Sequence, residues 1–246
     1  MTTVRDNTRP PIDMAAHTLI IVTARNEAKR IEATLRALDQ AFPDASVWVA
    51  DDCSSDETPR IARACGARVV RAGRPLGKGG AATLAARDLL RWLDHPVAGQ
   101  SGGEAVVVLC DGDLGDSAGL LGPLAEHVRA GSADLAVAAF ARRAGGGFGL
   151  ALGFARWAIH RRCGLRLSAP ISGQRALRTG ALSHLLPFAQ EFGMEIGMTI
   201  DAARAGLRVA EVELDIGHRA TGRTPSGFLH RGRQLLAFAR VYRSRR

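Results

Sequence analysis

An α/β fold, with a parallel sheet covered by helices on both faces, is predicted by three features of the 246-residue sequence. Short β-rich apolar runs alternate with helical segments four times over before Phe140. The run EAVVVLC, 104–110, is apolar almost throughout, which suits a strand buried on both sides. Acidic residues close two of the runs, where ligands of such sheets bind.

Residues 1–16 carry charges and prolines and read as a loose tail rather than a signal peptide. TLIIVTA, 18–24, is the first predicted strand. From Asn26 the apolar residues of NEAKRIEATLRAL recur at helical spacing, with Asn26 as the expected N-cap. SVWVA, 46–50, is a second strand, and 55–66 a helix closed by Gly66. A third strand is expected at 67–72, then a glycine-rich loop and a helix over 80–93. The fourth strand, 104–110, leads to a helix over 117–131 and a fifth strand over 133–140. Asp116 or Ser117 is available to cap that helix. Beyond 141 the alternation weakens: helices are expected at 150–164, 193–206 and 227–246, and a strand at 208–214.

The net charge is +9, mostly from arginine, which favours anionic partners. Aromatic residues make up only 5% and no recognition motif is present, which argues against nucleic acid. Cys53, Cys65, Cys110 and Cys163 show no metal-ligand spacing and read as reduced thiols of a cytoplasmic protein. No apolar run approaches the ~20 residues that span a bilayer.

The stretch RAGRPLGKGG, 71–80, resembles a phosphate loop but is not a P-loop. Gly73 and Gly77 stand one residue too close, and Gly79 replaces the metal-binding hydroxyl. A lysine among four glycines still marks Lys78 as a candidate anion contact. The second strand ends in Asp51-Asp52 and the fourth in Asp111-Gly112-Asp113, at one edge of the sheet. Carboxylates in this arrangement suit a hard divalent cation shared with substrate phosphates. Gly112 lets the backbone approach a ligand.

The ordered set VTARNEAKRIEATLRAL, VWVADDCSSDET, GKGGA, VLCDGDLGD, SGQRALR and GMEIGMTIDAARAGLRVAEVELDIGHRATGR resembles glycosyltransferase family 2 over roughly 18–235. It is similar both to polyprenyl- and dolichol-phosphate glycosyltransferases and to glucosyl-3-phosphoglycerate synthases. The resemblance implies a GT-A fold with a mostly parallel central sheet. It implies one domain over 17–246, with 17–140 binding the nucleotide sugar and 141–246 forming the acceptor side. It implies that Thr23, Ala24 and Glu27 flank the nucleobase, that Asp52 accepts a base N–H, and that Lys78 faces the nucleotide. Asp111 and Gly112 lie near the ribose. Asp113 ligates Mg2+ or Mn2+, His218 completes the metal site, and Arg219 and Arg223 assist at the phosphates. Ser172, Gly173, Gln174 and Glu195 fall on the sugar or acceptor, with Glu195 and Asp113 as the catalytic pair. Asp201 faces elsewhere.

Two departures leave the acceptor open. Ala169 stands where polyprenyl-type relatives carry an aspartate, and Ser172 where phosphoglycerate-type relatives carry a glycine. The implied activity is metal-dependent sugar transfer from a nucleotide diphosphate sugar, UDP-linked by preference, to a polyprenyl phosphate or a small phosphorylated or hydroxylated metabolite. A sugar nucleotidyltransferase is the enzymatic alternative, but TARNEAKR lacks the glycine-rich loop it needs after the first strand. A non-catalytic nucleotide- or membrane-surface module is the other alternative. Phe148, Phe154, Trp157 and Ile159, among Arg156, Arg161 and Arg162, read as core packing or as an interfacial surface for a lipid acceptor. The basic terminus FARVYRSRR suits anionic lipid. Peripheral contact with the inner face of the membrane and a homodimer are both left open.

Overall fold

The structure is a computed structural model that describes residues 13–94, 103–140, 149–190, 193–215, 238 and 241–245. The described residues form seven strands: β1 Thr18–Ala24, β2 Ser46–Asp51, β3 Arg68–Arg71, β4 Val106–Asp111, β5 Leu135–Phe140, β6 Arg175–Arg178 and β7 Val209–Leu214. They make one sheet in the order β3-β2-β1-β4-β6-β5-β7. β1 pairs in parallel with β2 and β4, as β2 does with β3 and β5 with β7. β6 is antiparallel to both β4 and β5. The predicted parallel sheet is thus interrupted by one reversed strand that the sequence reading missed.

Seven α-helices accompany the strands among the described residues: α1 Ile31–Ala41, α2 Thr58–Ala64, α3 Gly77–Asp94, α4 Gly122–Arg129, α5 Gly149–Cys163, α6 Thr179–Leu185 and α7 Met194–Arg204. Side chains alternate across the sheet as strand geometry requires. Leu19 and Ile21 of β1, with Val107 and Leu109 of β4, pack against Ala82, Ala85 and Leu89 of α3 and Met194 and Met198 of α7. Their neighbours Ile20, Val22, Val108 and Cys110 pack on the opposite face against Ile31, Leu35 and Leu38 of α1 and Leu124 and Val128 of α4. A third cluster joins Ala155 and Ile159 of α5 to Ile196 and Ile200 of α7 and to Phe238 and Val241.

Three local expectations need correction. Asn26 is no N-cap: α1 starts at Ile31, and Asn26 sits at φ 57°. The N–H groups of Asn26, Glu27 and Ala28 are taken by Ser54 Oγ, Thr58 Oγ1 and Asp56 Oδ2, which holds this segment out of a helix. The glycine stretch is not wholly a loop, because α3 already begins at Gly77 and Lys78 lies in its first turn. The 117–131 helix is two pieces, a 3-10 turn over Gly115–Leu121 and then α4, and neither Asp116 nor Ser117 caps it. Most of the expected C-terminal helix over 227–246 lies outside the described residues.

Candidate active site

The order of the sheet reverses at β1, between β2 and β4, and the carboxyl ends of these strands frame a crevice of the kind that binds ligands in open α/β sheets. Register decides which side chains meet there. Ala24 lies opposite Asp51, and Thr23 opposite Asp111. The Thr23 hydroxyl therefore donates to Asp111 Oδ1 at 3.0 Å. Gly112 N donates to Thr23 O, and Asp52 N to Ala24 O. Asp52, Asp111 and Asp113 thus share one rim.

Asp111 is the hub. Lys78 Nζ reaches its Oδ1 at 2.6 Å and Glu195 Oε1 at 2.8 Å. Gln174 Nε2 donates to Asp111 Oδ2 at 2.9 Å, and Ser172 Oγ lies 3.4 Å from Gln174 Oε1. Burial works to raise the Asp111 carboxyl. The Lys78 charge and the hydrogen bonds from Lys78, Thr23 and Gln174 outweigh that and hold it below its ordinary value. Burial likewise works against the Lys78 ammonium, and its two carboxylates push it above the usual lysine range. Gly173 allows the pair to close. A methyl group at Gly173 would lie 2.3 Å from Lys78 Nζ and 2.5 Å from Asp111 Oδ2.

The other predicted residues fall around this hub. Among the described residues Asp113 makes one ion pair, with Arg30 Nη1 at 3.4 Å, and its side chain is 48% exposed. Glu27 lies close enough that, after its own burial, the Asp113 charge is the main influence raising its carboxyl. Asp52 accepts from Leu76 N at 2.6 Å and Gly77 N at 3.1 Å, with Arg25 Nη1 at 3.5 Å. It thus anchors the start of α3, a role the sequence reading did not foresee. A carboxylate there also complements the helix dipole. A Cβ at Gly112 would lie 3.0 Å from Ala24 Cβ, 3.1 Å from Thr23 O and 3.3 Å from Ile31, so the glycine is closely packed by the protein itself. Asp201 points away and pairs with Arg245 at 2.6 Å. His218, Arg219 and Arg223 lie outside the described residues.

Several supporting residues escaped the sequence reading. Ser54 and Arg71 are two of them: they hold Asp51, which the sequence grouped with the rim carboxylates but which is fully buried and accepts Ser54 N, while Arg71 reaches both it and Ser54 O. The short polar run SSDET was the visible signal for this cluster. Arg175 and Glu211 hold the segment 168–174; both stand in stretches that carry the family resemblance, SGQRALR and RVAEVEL, but sequence reasoning assigned neither residue a role of its own.

Among the described residues no group of three or more His, Cys, Asp or Glu side chains could hold a metal alone. Asp113 nevertheless suits a cation. Its carboxylate is half-exposed at the crevice and only weakly engaged, whereas Asp111 is fully used. One protein carboxylate plus substrate phosphates is how Mg2+ is commonly held.

A switch-point crevice with one clamped and one exposed aspartate in D-x-D spacing defines the nucleotide-sugar half of a GT-A transferase. The comparisons agree. Residues 19–167 match the family described as glycosyl transferase family 2, and the chain belongs to that family of nucleotide-sugar-dependent glycosyltransferases. It is 31% identical over 225 residues to the undecaprenyl-phosphate mannosyltransferase of Micrococcus luteus, covering 83% of this chain and 85% of that one. Glucosyl-3-phosphoglycerate synthase of Mycobacterium tuberculosis, solved with Mn2+, UDP and glucosyl-3-phosphoglycerate, is 27% identical, with TM-score 0.70 over 94% of this chain and 82% of that one. The same enzyme solved with Mg2+ and UDP gives TM-score 0.71 at 27% identity, over 94% of this chain and 81% of that one.

Proposed function

We propose that the chain transfers a sugar from a UDP-sugar to a phosphorylated acceptor, using Mg2+ or Mn2+. The observation that carries this reading is the division of labour at the D-x-D pair: Asp111 locked by Lys78, Thr23 and Gln174, Asp113 left open. Thr23, Ala24 and Glu27 flank the base, and Asp52 keeps lone pairs for a base N–H beyond the two backbone groups it already binds. Lys78 and Asp111 face the ribose and diphosphate. By the family resemblance, Asp113 would hold the cation with His218, and Arg219 and Arg223 would assist at the phosphates. The bound cation supplies charge stabilisation to the departing diphosphate. Lys78 is the fixed cation on the protein side of that same event.

Ser172, Gly173, Gln174 and Glu195 form the sugar and acceptor wall. Glu195 is buried, and its Oε1 is committed to Lys78. It therefore serves as counter-ion and sugar contact rather than as a free base. An acceptor phosphate, already ionised, needs no base, whereas a hydroxyl does. That favours a phosphate oxygen as the nucleophile.

Of the phosphorylated acceptors, a polyprenyl phosphate is supported by the relative from Micrococcus luteus and by α5. The exposed face of α5 presents Gly153, Arg156, Trp157, His160 and Arg161 and carries no acid. Trp157 is 49% exposed. A tryptophan among basic side chains suits an anionic lipid surface. The small-acceptor reading is supported by the neighbour solved with phosphoglyceric acid, at 28% identity and TM-score 0.70. The test is incubation with Mn2+ and UDP- or GDP-linked hexoses, with undecaprenyl phosphate or 3-phosphoglycerate as acceptor, followed by mass spectrometry of products. A glycosylated phosphate is expected. A product formed only from nucleotide triphosphate and sugar phosphate would favour a nucleotidyltransferase instead.

A further inference from the structure

We propose that Arg175 is a positioning residue for the transfer step, holding the acceptor-side turn 170–174 in register with the helix that carries Glu195. This rests on the reading of Ser172, Gly173, Gln174 and Glu195 as the acceptor wall. Arg175 stands at the start of β6 and is 1% exposed. Its guanidinium makes three directed hydrogen bonds. Nε donates to Ser172 O at 2.9 Å, Nη2 to Pro170 O at 3.1 Å and Nη1 to Thr199 Oγ1 at 3.0 Å. Thr199 in turn donates to Glu195 O at 3.0 Å, one turn earlier in α7. One side chain thereby ties the turn facing Asp111 to the helix facing Lys78.

The chemistry is costly unless geometry is its purpose. All three acceptors are neutral oxygens, and the guanidinium has no carboxylate among its hydrogen-bond partners. Burial pulls Arg175 down to about 10, with Glu195 and Glu211 opposing from nearby. Apolar residues fill such volume without that penalty. The planar fork, however, can fix three oxygens at set angles, which a lysine cannot. The rest of the segment is tied down as well. Glu211 of β7 accepts Ser168 N and Ala169 N, each at 2.7 Å, and Gln174 at the other end is bonded to Asp111. Arg175 governs the stretch between these anchors, where Gly173 must lie flat on the Lys78–Asp111 pair. The donor side does not depend on it, because Lys78 and Thr23 hold Asp111 independently.

The test uses the full chain with UDP-glucose, Mn2+ and undecaprenyl phosphate or 3-phosphoglycerate, whichever the wild type turns over, comparing Arg175→Met, Arg175→Lys and Thr199→Val. The turnover number is expected to fall about 30-fold in Arg175→Met and about tenfold in Arg175→Lys, as for a small misplacement of a reacting group. The KM for UDP-glucose stays within about threefold. Thr199→Val removes both hydrogen bonds of the Thr199 hydroxyl, to Arg175 and to Glu195 O, keeps the arginine charge, and shows the same pattern at a few-fold; it carries the test if the arginine variants fail to fold. Turnover within about twofold of wild type in a folded Arg175→Met overturns the proposal. So does a parallel loss of turnover, donor affinity and thermal stability, the mark of a merely structural arginine. A wild-type chain inert toward every donor instead defeats the transfer reading, a distinct result.

Discussion

Lys78 faces two carboxylates, and removing it leaves Asp111 and Glu195 confronting each other across the crevice. Lys78→Ala is predicted to weaken UDP binding about tenfold or more, the loss of a charge-assisted hydrogen bond of about 1.5–3 kcal/mol. Titration calorimetry checks this, and unchanged affinity would reduce Lys78 to an internal ion pair. Gly173→Ala drives a methyl group against Lys78 Nζ and Asp111 Oδ2, side-chain ends rather than backbone. Stability should change little, while kcat/KM falls by at least about tenfold through displacement of the pair. The Asp111 carboxyl is held below its ordinary 3.8, so its contribution to stability is full above that value and is lost as pH falls through the depressed folded value. A stability gap between wild type and Asp111→Asn, present at about pH 6, should therefore close below about pH 4, as read by thermal melts across pH. Asp111, Asp113 and Lys78 were legible in the sequence because D-x-D at the end of the fourth strand combines with the acids ending the second and the lysine in the glycine run after the third. The second role of Asp52, anchoring α3, was not. It depends on where Leu76 N and Gly77 N come to lie, 24 and 25 residues further on.

α3 shows how an element's start can be set by packing rather than by pattern. A Cβ on Gly79 would lie 1.8 Å from the carbonyl oxygen of Ala189, a backbone atom that cannot step aside. Gly79→Ala is predicted to cost about 3 kcal/mol, by urea unfolding, where Gly173→Ala does not. β1, β2 and β4 were readable because both faces of a central strand are apolar. β6 was not: four residues, RALR, with a charge at each end, carry no strand signal. Its pairing is fixed instead by the edge that β4 and β5 offer. On α5 the sequence alternatives divide between residues: Phe154 packs on the third core cluster, while Trp157 stays exposed, 4.8 Å from Tyr242 between ring centroids. Arg162 stacks on that same Tyr242 ring at 3.8 Å. The wild-type chain should co-sediment with phosphatidylglycerol-containing vesicles and not with neutral ones, and Trp157→Ala combined with Arg161→Glu should abolish this. Equal sedimentation of the variant would remove α5 as the contact.

Across the whole molecule, the fold brings together side chains as distant in sequence as Thr23 and Glu195, and it does so where the strand order reverses at β1. Strand–helix alternation was enough to locate that rim, because parallel strands put all their carboxyl ends on one side. The proposed acceptor wall was legible only through family likeness, since 168–174 takes its shape from Glu211 and Arg175, which lie on two different strands. No helix among the described residues is long and apolar enough to cross a membrane. The central claim is that this rim grips a nucleoside diphosphate through a cation on Asp113. Calorimetric titration of UDP into the wild type and Asp113→Ala, each with and without Mn2+, tests it most directly. The claim predicts tight binding by the wild type only with Mn2+, and loss of that dependence in a variant with unchanged melting temperature. UDP binding that ignores both Mn2+ and the substitution would contradict it.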